Sequence, residues 1–196
     1  MRKTYVIILL AILVGSYARL DYVLAVTEPP AEGGKLPEII LPVPENSEEK
    51  KYLGLDEDGS FKISQIKAEI VVIEIFSMYC PHCQKEAPVV NELYEAIQKR
   101  SDLKDKIKII GIGGGNTAFE IKLFKNRYKI PFTLFPDADF TIHRLLGEVR
   151  TPYFVVVQMN RDRSHQVIYS RLGGFGDPDT FLQFILENSS LRKEDS

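Results

Sequence analysis

The chain has 196 residues, 44% of them hydrophobic and 27% charged, with a formal net charge of −2. That balance suits one globular domain with a real core. It offers no basis for nucleic-acid binding, and the sequence holds no repeat and no low-complexity tract.

Arg2 and Lys3 precede an apolar stretch at residues 5–14, the pattern of a secretory signal. Small residues around Ala18 and Ala25 offer cleavage positions, so residues 1–25 read as a signal peptide or, if uncleaved, a membrane anchor. The apolar run is short for a spanning helix, and Arg19 and Asp21 interrupt it. No cysteine lies near Ala18 or Ala25 to carry a lipid. Export places the chain outside the reducing cytosol, in a periplasm-like compartment, soluble or tethered.

Residues 26–52 are rich in Pro, Glu and Gly and read as a linker with one short edge strand near residues 38–41. The folded domain is expected over residues 53–190, and residues 191–196 as a frayed tail. Within the domain, residues 70–76 form a buried strand and Asp58-Gly59 a turn before it. A helix runs from Pro81 to about residue 100, with Pro88 inside it. Residues 107–112 give the next strand. Asn116 or Thr117 caps a helix to about residue 128, with Phe119, Ile121, Leu123 and Phe124 as its apolar positions. A short helix over residues 140–146 stops at Gly147. Residues 153–158 and 166–171 form a hairpin, and Pro178 opens a last helix burying Phe181, Leu182, Phe184, Ile185 and Leu186. This order implies an α/β fold, a mixed central sheet with helices on both faces.

Cys80 and Cys83 are the only cysteines and sit three apart at the strand–helix junction, as Cys80-Pro81-His82-Cys83. Cys80 falls at the helix start, where unpaired N–H groups and the helix dipole stabilise a thiolate. Pro81 suits the first helical position. Cys83, one turn inward, is the resolving thiol. His82 can donate a hydrogen bond or a positive charge to the Cys80 thiolate and so tune the potential of the redox-active disulfide. A structural staple is the competing reading, but so small a ring constrains almost no chain. A zinc site wants four ligands, and His143 and His165 stand far apart. Gly113-Gly114-Gly115 lacks the remaining features of a nucleotide loop and reads as a flexible connection.

Alternation along residues 70–76 puts Val72, Glu74 and Phe76 on one face. A carboxylate on a buried strand is costly unless protonated, paired or bridged by water. Glu74 can therefore take the Cys83 proton as a mixed disulfide resolves, or simply pair with a lysine at the sheet margin.

The element order, with CxxC at the first strand–helix junction and a proline before the hairpin, resembles the thioredoxin superfamily. The segment from Glu74 to Cys83 is similar to the active site of DsbA. The spacing from Cys83 to Pro152 leaves room for only one extra strand–helix unit. With the N-terminal signal and the stretch at residues 131–139, this is similar to the exported TlpA/ResA group. Tyr79 stands where many of that group carry tryptophan, and this chain has none.

The resemblance implies a thioredoxin-like fold with one strand–helix insertion and a thiol–disulfide oxidoreductase. It implies a cis Thr151-Pro152 bond facing the cysteines, with Thr151 and Pro152 docking substrate. Glu86 matches a glutamate linked to chemistry in ResA-like proteins, though an early helical Glu also serves the dipole. Exported protein thiols or disulfides are the implied substrates. No organic cofactor is needed, and with no third cysteine a separate partner recycles the pair. Two rivals share the fold. A peroxiredoxin-like peroxidase would want Pro and Thr where Ile73 and Ser77 stand. A copper module would use Cys80, Cys83 and His143 or His165.

Overall fold

Two runs, apolar but for Glu74 and Lys108, set the architecture. Ile70–Phe76 and Ile107–Gly114 are buried along their whole length, as strands covered on both faces must be. The computed structural model describes residues 28–56, 58–160, 162 and 164–194. In chain order these form β1 (Ile40–Pro42), α1 (Ser47–Leu53), β2 (Ser60–Lys62), β3 (Ile70–Phe76) and α2 (Pro81–Lys99). Then come β4 (Ile107–Gly114), α3 (Ala118–Tyr128), β5 (Thr133–Asp137) and α4 (Thr141–Leu145). The chain closes with β6 (Tyr153–Met159), β7 (His165–Leu172) and α5 (Pro178–Glu187).

The sheet order is β5-β4-β3-β6-β7. Strands β3, β4 and β5 are parallel, while β6 runs antiparallel to β3 and β7 antiparallel to β6. The fold is thioredoxin-like, and β5 with α4 is the extra strand–helix unit at the sheet edge. Pro136 lies inside β5, a position that an edge strand tolerates because one side of its backbone needs no partner.

Period-2 alternation splits β3 between two cores. Ile70, Val72 and Phe76 pack with α2, α3 and α5; Val71, Ile73 and Ile75 pack with the N-terminal segment. On α2, Cys83, Ala87, Val90, Leu93 and Ile97 form one buried stripe at helical spacing. Pro88 lies inside that helix. Thr117 caps α3 through a capping box with Glu120. Its buried residues are Ile121 and Phe124, whereas Phe119 and Leu123 face solvent. In α5 the buried set is Phe181, Leu182 and Ile185, with Phe184 and Leu186 partly buried.

Two boundaries differ from expectation. The supposed linker is part of the fold from its first described residues. Leu36, Ile39, Leu41 and Leu53 are buried against the sheet face opposite α2. Gly33 and Gly34 exchange backbone hydrogen bonds with Val167 of β7, and β1 pairs with β2. Pro and Gly shape this segment without freeing it, because the three large aliphatic side chains Leu36, Ile39 and Leu41 gain burial there. Tyr52 of α1 also binds both the N–H and the C=O of Ile109, a stretch of β4 that β5 does not reach. At the other end, Ser190–Glu194 is a 3-10 turn whose Leu191 is buried, so the chain is anchored at Leu191 rather than frayed from there. The signal or anchor segment, residues 1–25, lies outside the described residues.

Candidate active site

Cys80 is the N-cap of α2, in an extended conformation, and Pro81 is the first helical residue. The Cys83 N–H points at the Cys80 sulfur at 3.4 Å. This is a helix cap in which sulfur replaces the usual side-chain oxygen. The Cys80 thiol in turn donates to the Thr151 carbonyl at 3.3 Å. Both cysteines are free thiols, Cys80 partly exposed and Cys83 buried.

Their environments drive the two thiols apart. Partial burial alone raises Cys80, but hydrogen bonds from the Thr151 side chain, the Cys83 thiol and the N–H groups of Cys83 and His82 outweigh it. The thiol is held below its ordinary range. Burial pushes Cys83 far above that range, and its hydrogen bond to Cys80 adds to the rise. His82 reaches Cys80 through its backbone N–H, and the residue itself is exposed.

The Thr151-Pro152 bond is cis, and it lies directly before β6. Pro152 is buried, and its carbonyl accepts the Gly173 N–H at 2.8 Å, tying this loop to the end of β7. Below the cysteines, Glu74 is only 3% exposed. Burial first, then the nearby Glu86 and Cys80 charges, raise its carboxyl to about 8. No lysine at the sheet margin is seen to pair with it among the described residues. Glu86 is half-buried and its Oε1 accepts the Phe175 N–H at 3.3 Å. Its carboxyl is also raised, by burial against the opposing pull of Phe175 and Lys85. The Glu86 carboxylate sits where a side chain on residue 174 would be, since a Cβ on Gly174 would lie 2.3 Å from its Oε2.

Two supporting residues escape sequence reading. Asn116 is fully buried and accepts the Met78 N–H at 2.8 Å. Gln84 donates to the Met78 carbonyl at 2.8 Å, so both polar groups of this residue are held. The sequence marked Asn116 only as a cap candidate behind the glycine run. A Cβ on Gly113 would lie 2.4 Å from the Ile121 Cδ1 and 3.1 Å from the Asn116 Oδ1, so both side chains would have to give way. Tyr79, at the position of the missing tryptophan, is 65% exposed and donates its hydroxyl to Glu120.

The other histidines are occupied elsewhere. His143 donates to the Val149 carbonyl at 2.8 Å and His165 to the Leu36 carbonyl at 3.0 Å. Among the described residues no cluster of three metal-ligating side chains forms. His143 instead braces the loop that leads into Thr151. Asp137 caps the same region by accepting the N–H groups of Ile142 and His143.

Sheet order, capping cysteine and cis-proline loop together define a thioredoxin-fold protein with a CxxC dithiol. The AhpC/TSA family profile matches residues 33–172, and the chain belongs to the AhpC/TSA family. Among curated relatives it is 31% identical over 111 residues to the chloroplastic peroxiredoxin Q of Suaeda salsa, covering 56% of this chain and 49% of that one. It is 25% identical over 112 residues to the thiol-disulfide oxidoreductase ResA of Bacillus anthracis, covering 57% and 62%. The chain thus spans roughly half of the first of these relatives and somewhat more of the second. Among solved structures, the thioredoxin domain of a thiol-disulfide oxidoreductase from Bacteroides vulgatus superposes with a TM-score of 0.57 at 18% identity. That match covers 79% of this chain and 98% of the other. A thiol:disulfide interchange protein from Bacteroides sp. gives 0.57 at 16%, covering 80% and 91%. At these identities the structures speak for the fold.

Proposed function

We propose that the chain is a TlpA/ResA-like thiol–disulfide oxidoreductase acting on exported proteins. One observation carries the reading: two thiols within one helical turn, one held below and one pushed above the ordinary range. Only the first is then a nucleophile at neutral pH.

The reaction follows from that inequality. The Cys80 thiolate attacks a substrate disulfide, forming a mixed disulfide and releasing one substrate thiolate. The Cys83 thiol then loses its proton and attacks the Cys80 sulfur. The Cys80–Cys83 disulfide forms and the second substrate thiolate leaves. Two electrons pass from the dithiol to the substrate, and the reverse sequence oxidises a substrate dithiol. Glu74 is close enough to feel the Cys80 charge, and with a pKa of about 8 it can accept the Cys83 proton near neutral pH. His82 tunes the pair, while Thr151 and Pro152 position the incoming chain. The electrons stay on the two sulfurs, so no organic cofactor enters, and a separate partner resets the pair.

The working compartment we assign is extracytoplasmic. The relatives named ResA support it, as does the basic and apolar start of the sequence. Among the described residues no helix is long and apolar enough to cross a membrane.

The test is stoichiometric exchange between the reduced full chain and a peptide disulfide, read by mass spectrometry. Two electrons should transfer per chain, leaving Cys80 and Cys83 joined. A second reading, thiol peroxidase, is favoured by the similarity to peroxiredoxin Q. Ile73 and Ser77 stand against it. Rapid peroxide consumption without disulfide exchange would replace the first reading with the second.

A further inference from the structure

We infer that the preferred substrates carry carboxylates beside the reacting cysteine. The inference rests on the oxidoreductase reading above and names its substrate class. Two open grooves share Arg150 and Thr151, the residue whose carbonyl holds the Cys80 thiol. One, of about 470 Å³, is lined by His82, Lys85 and Leu172 as well. The other, of about 440 Å³, is lined by Tyr79 and Phe140.

The charge on this rim is unbalanced. Some exposed cations elsewhere have carboxylate partners, Lys62 with Glu38, Lys67 with Asp56 and Arg171 with Glu32. Arg150 is exposed and lines both grooves, and no ion pair forms to it among the described residues. Lys85 is exposed one helical turn from His82. Glu86 is the single carboxylate lining either groove. It is half-buried and committed to the Phe175 N–H, so it balances Lys85 at most and leaves Arg150 without a counter-charge. A chain of net charge −2 therefore presents a cationic rim at its reactive sulfur. Leu172, Tyr79 and Phe140, each at least 44% exposed, give apolar contact on both sides. The fitting occupant is an extended polypeptide segment with Asp or Glu flanking its cysteine and an apolar residue nearby. Attraction across such a rim raises encounter rates and suppresses wrong partners more than it adds affinity.

The experiment uses the reduced full chain and three disulfide-bonded peptides, identical except for Glu, Ser or Lys on either side of the cysteines. Each rate is divided by that peptide's rate with mercaptoethanol, which cancels differences in leaving-group thiols. At low ionic strength the Glu-flanked peptide should react about tenfold faster than the Lys-flanked one, and the ratio should approach one at high salt. In the Lys85→Glu, Arg150→Glu double variant the order should invert. Because the readout is a ratio, general damage to the protein lowers both rates and leaves the ratio interpretable. Equal normalised rates in the wild type, or a preference that survives charge reversal, would overturn this inference and leave the oxidoreductase reading intact. Exchange with none of the peptides would overturn both.

Discussion

The carboxamide oxygen of Asn116 accepts the Met78 N–H at 2.8 Å across 38 residues of sequence. With Gln84 on the Met78 carbonyl and the Cys80 N–H on the Ser77 carbonyl at 3.0 Å, the turn before the cysteine is held from three sides. That turn aims the Cys80 sulfur at the helix N–H groups. Asn116→Ala should therefore strand the Met78 N–H, costing roughly 1–3 kcal/mol of stability. It should also shift the pH profile of Cys80 alkylation upward, because the hydrogen bonds that lower the thiol loosen. Denaturant midpoints and alkylation rates across pH measure the two effects. A destabilised variant with an unmoved alkylation profile would mean that Asn116 supports the fold but not the thiolate.

Cys80→Ser should reduce exchange to the uncatalysed background. Cys83→Ser should keep the first attack and accumulate a mixed disulfide with the substrate, visible on a non-reducing gel. In the wild type, iodoacetamide should modify Cys80 at least about tenfold faster than Cys83, since the thiolate is the reacting species and Cys83 is buried. Faster modification of Cys83 would reverse the assignment of the two roles.

Features set by local chemistry were legible in the sequence. The strand at residues 70–76, the cysteine at the helix start, Pro81 behind it and the face occupied by Glu74 all follow from spacing and period. The N-terminal cover was not legible. Its composition is rich in Pro, Glu and Gly, and the burial of Leu36, Ile39 and Leu41 depends on a sheet face built from residues far downstream. Asn116 was legible only as a cap candidate, because its acceptor role is fixed by the meeting of two loops. The roles of His143 and His165 likewise came from where the fold puts Val149 and Leu36.

Glu74 makes stability depend on pH with a definite sign. Its carboxyl has an ordinary value of 4.5 and a folded value of about 8. Between these the folded chain holds a proton that the unfolded chain has released, so stability is full below 4.5 and falls as pH rises through about 8. Glu74→Gln imitates the protonated acid and should remove this loss. The variant should gain on the wild type as pH rises, by on the order of a few kcal/mol at pH 9. The same variant should resolve mixed disulfides more slowly near neutral pH, because the base beneath Cys83 is gone. Parallel denaturation curves for both proteins from pH 4 to 9 give the first result. A constant gap between them would show that Glu74 titrates alike in the folded and unfolded chain.

Glu86 raises Glu74 by its negative charge, second only to burial. Glu86→Gln removes that charge while keeping an oxygen for the Phe175 N–H, so the fold should lose less than about 1 kcal/mol. With the like charge gone, the Glu74 carboxyl should titrate lower, and the pH window of falling stability should close at a lower pH than in the wild type. Resolution by Cys83 should then reach its plateau at lower pH, because the base is ionised sooner. Single-turnover resolution rates across pH, with the denaturation series as a second readout, test this directly. If both profiles stay fixed in Glu86→Gln, the two carboxylates are uncoupled, and burial with the Cys80 charge sets the Glu74 proton.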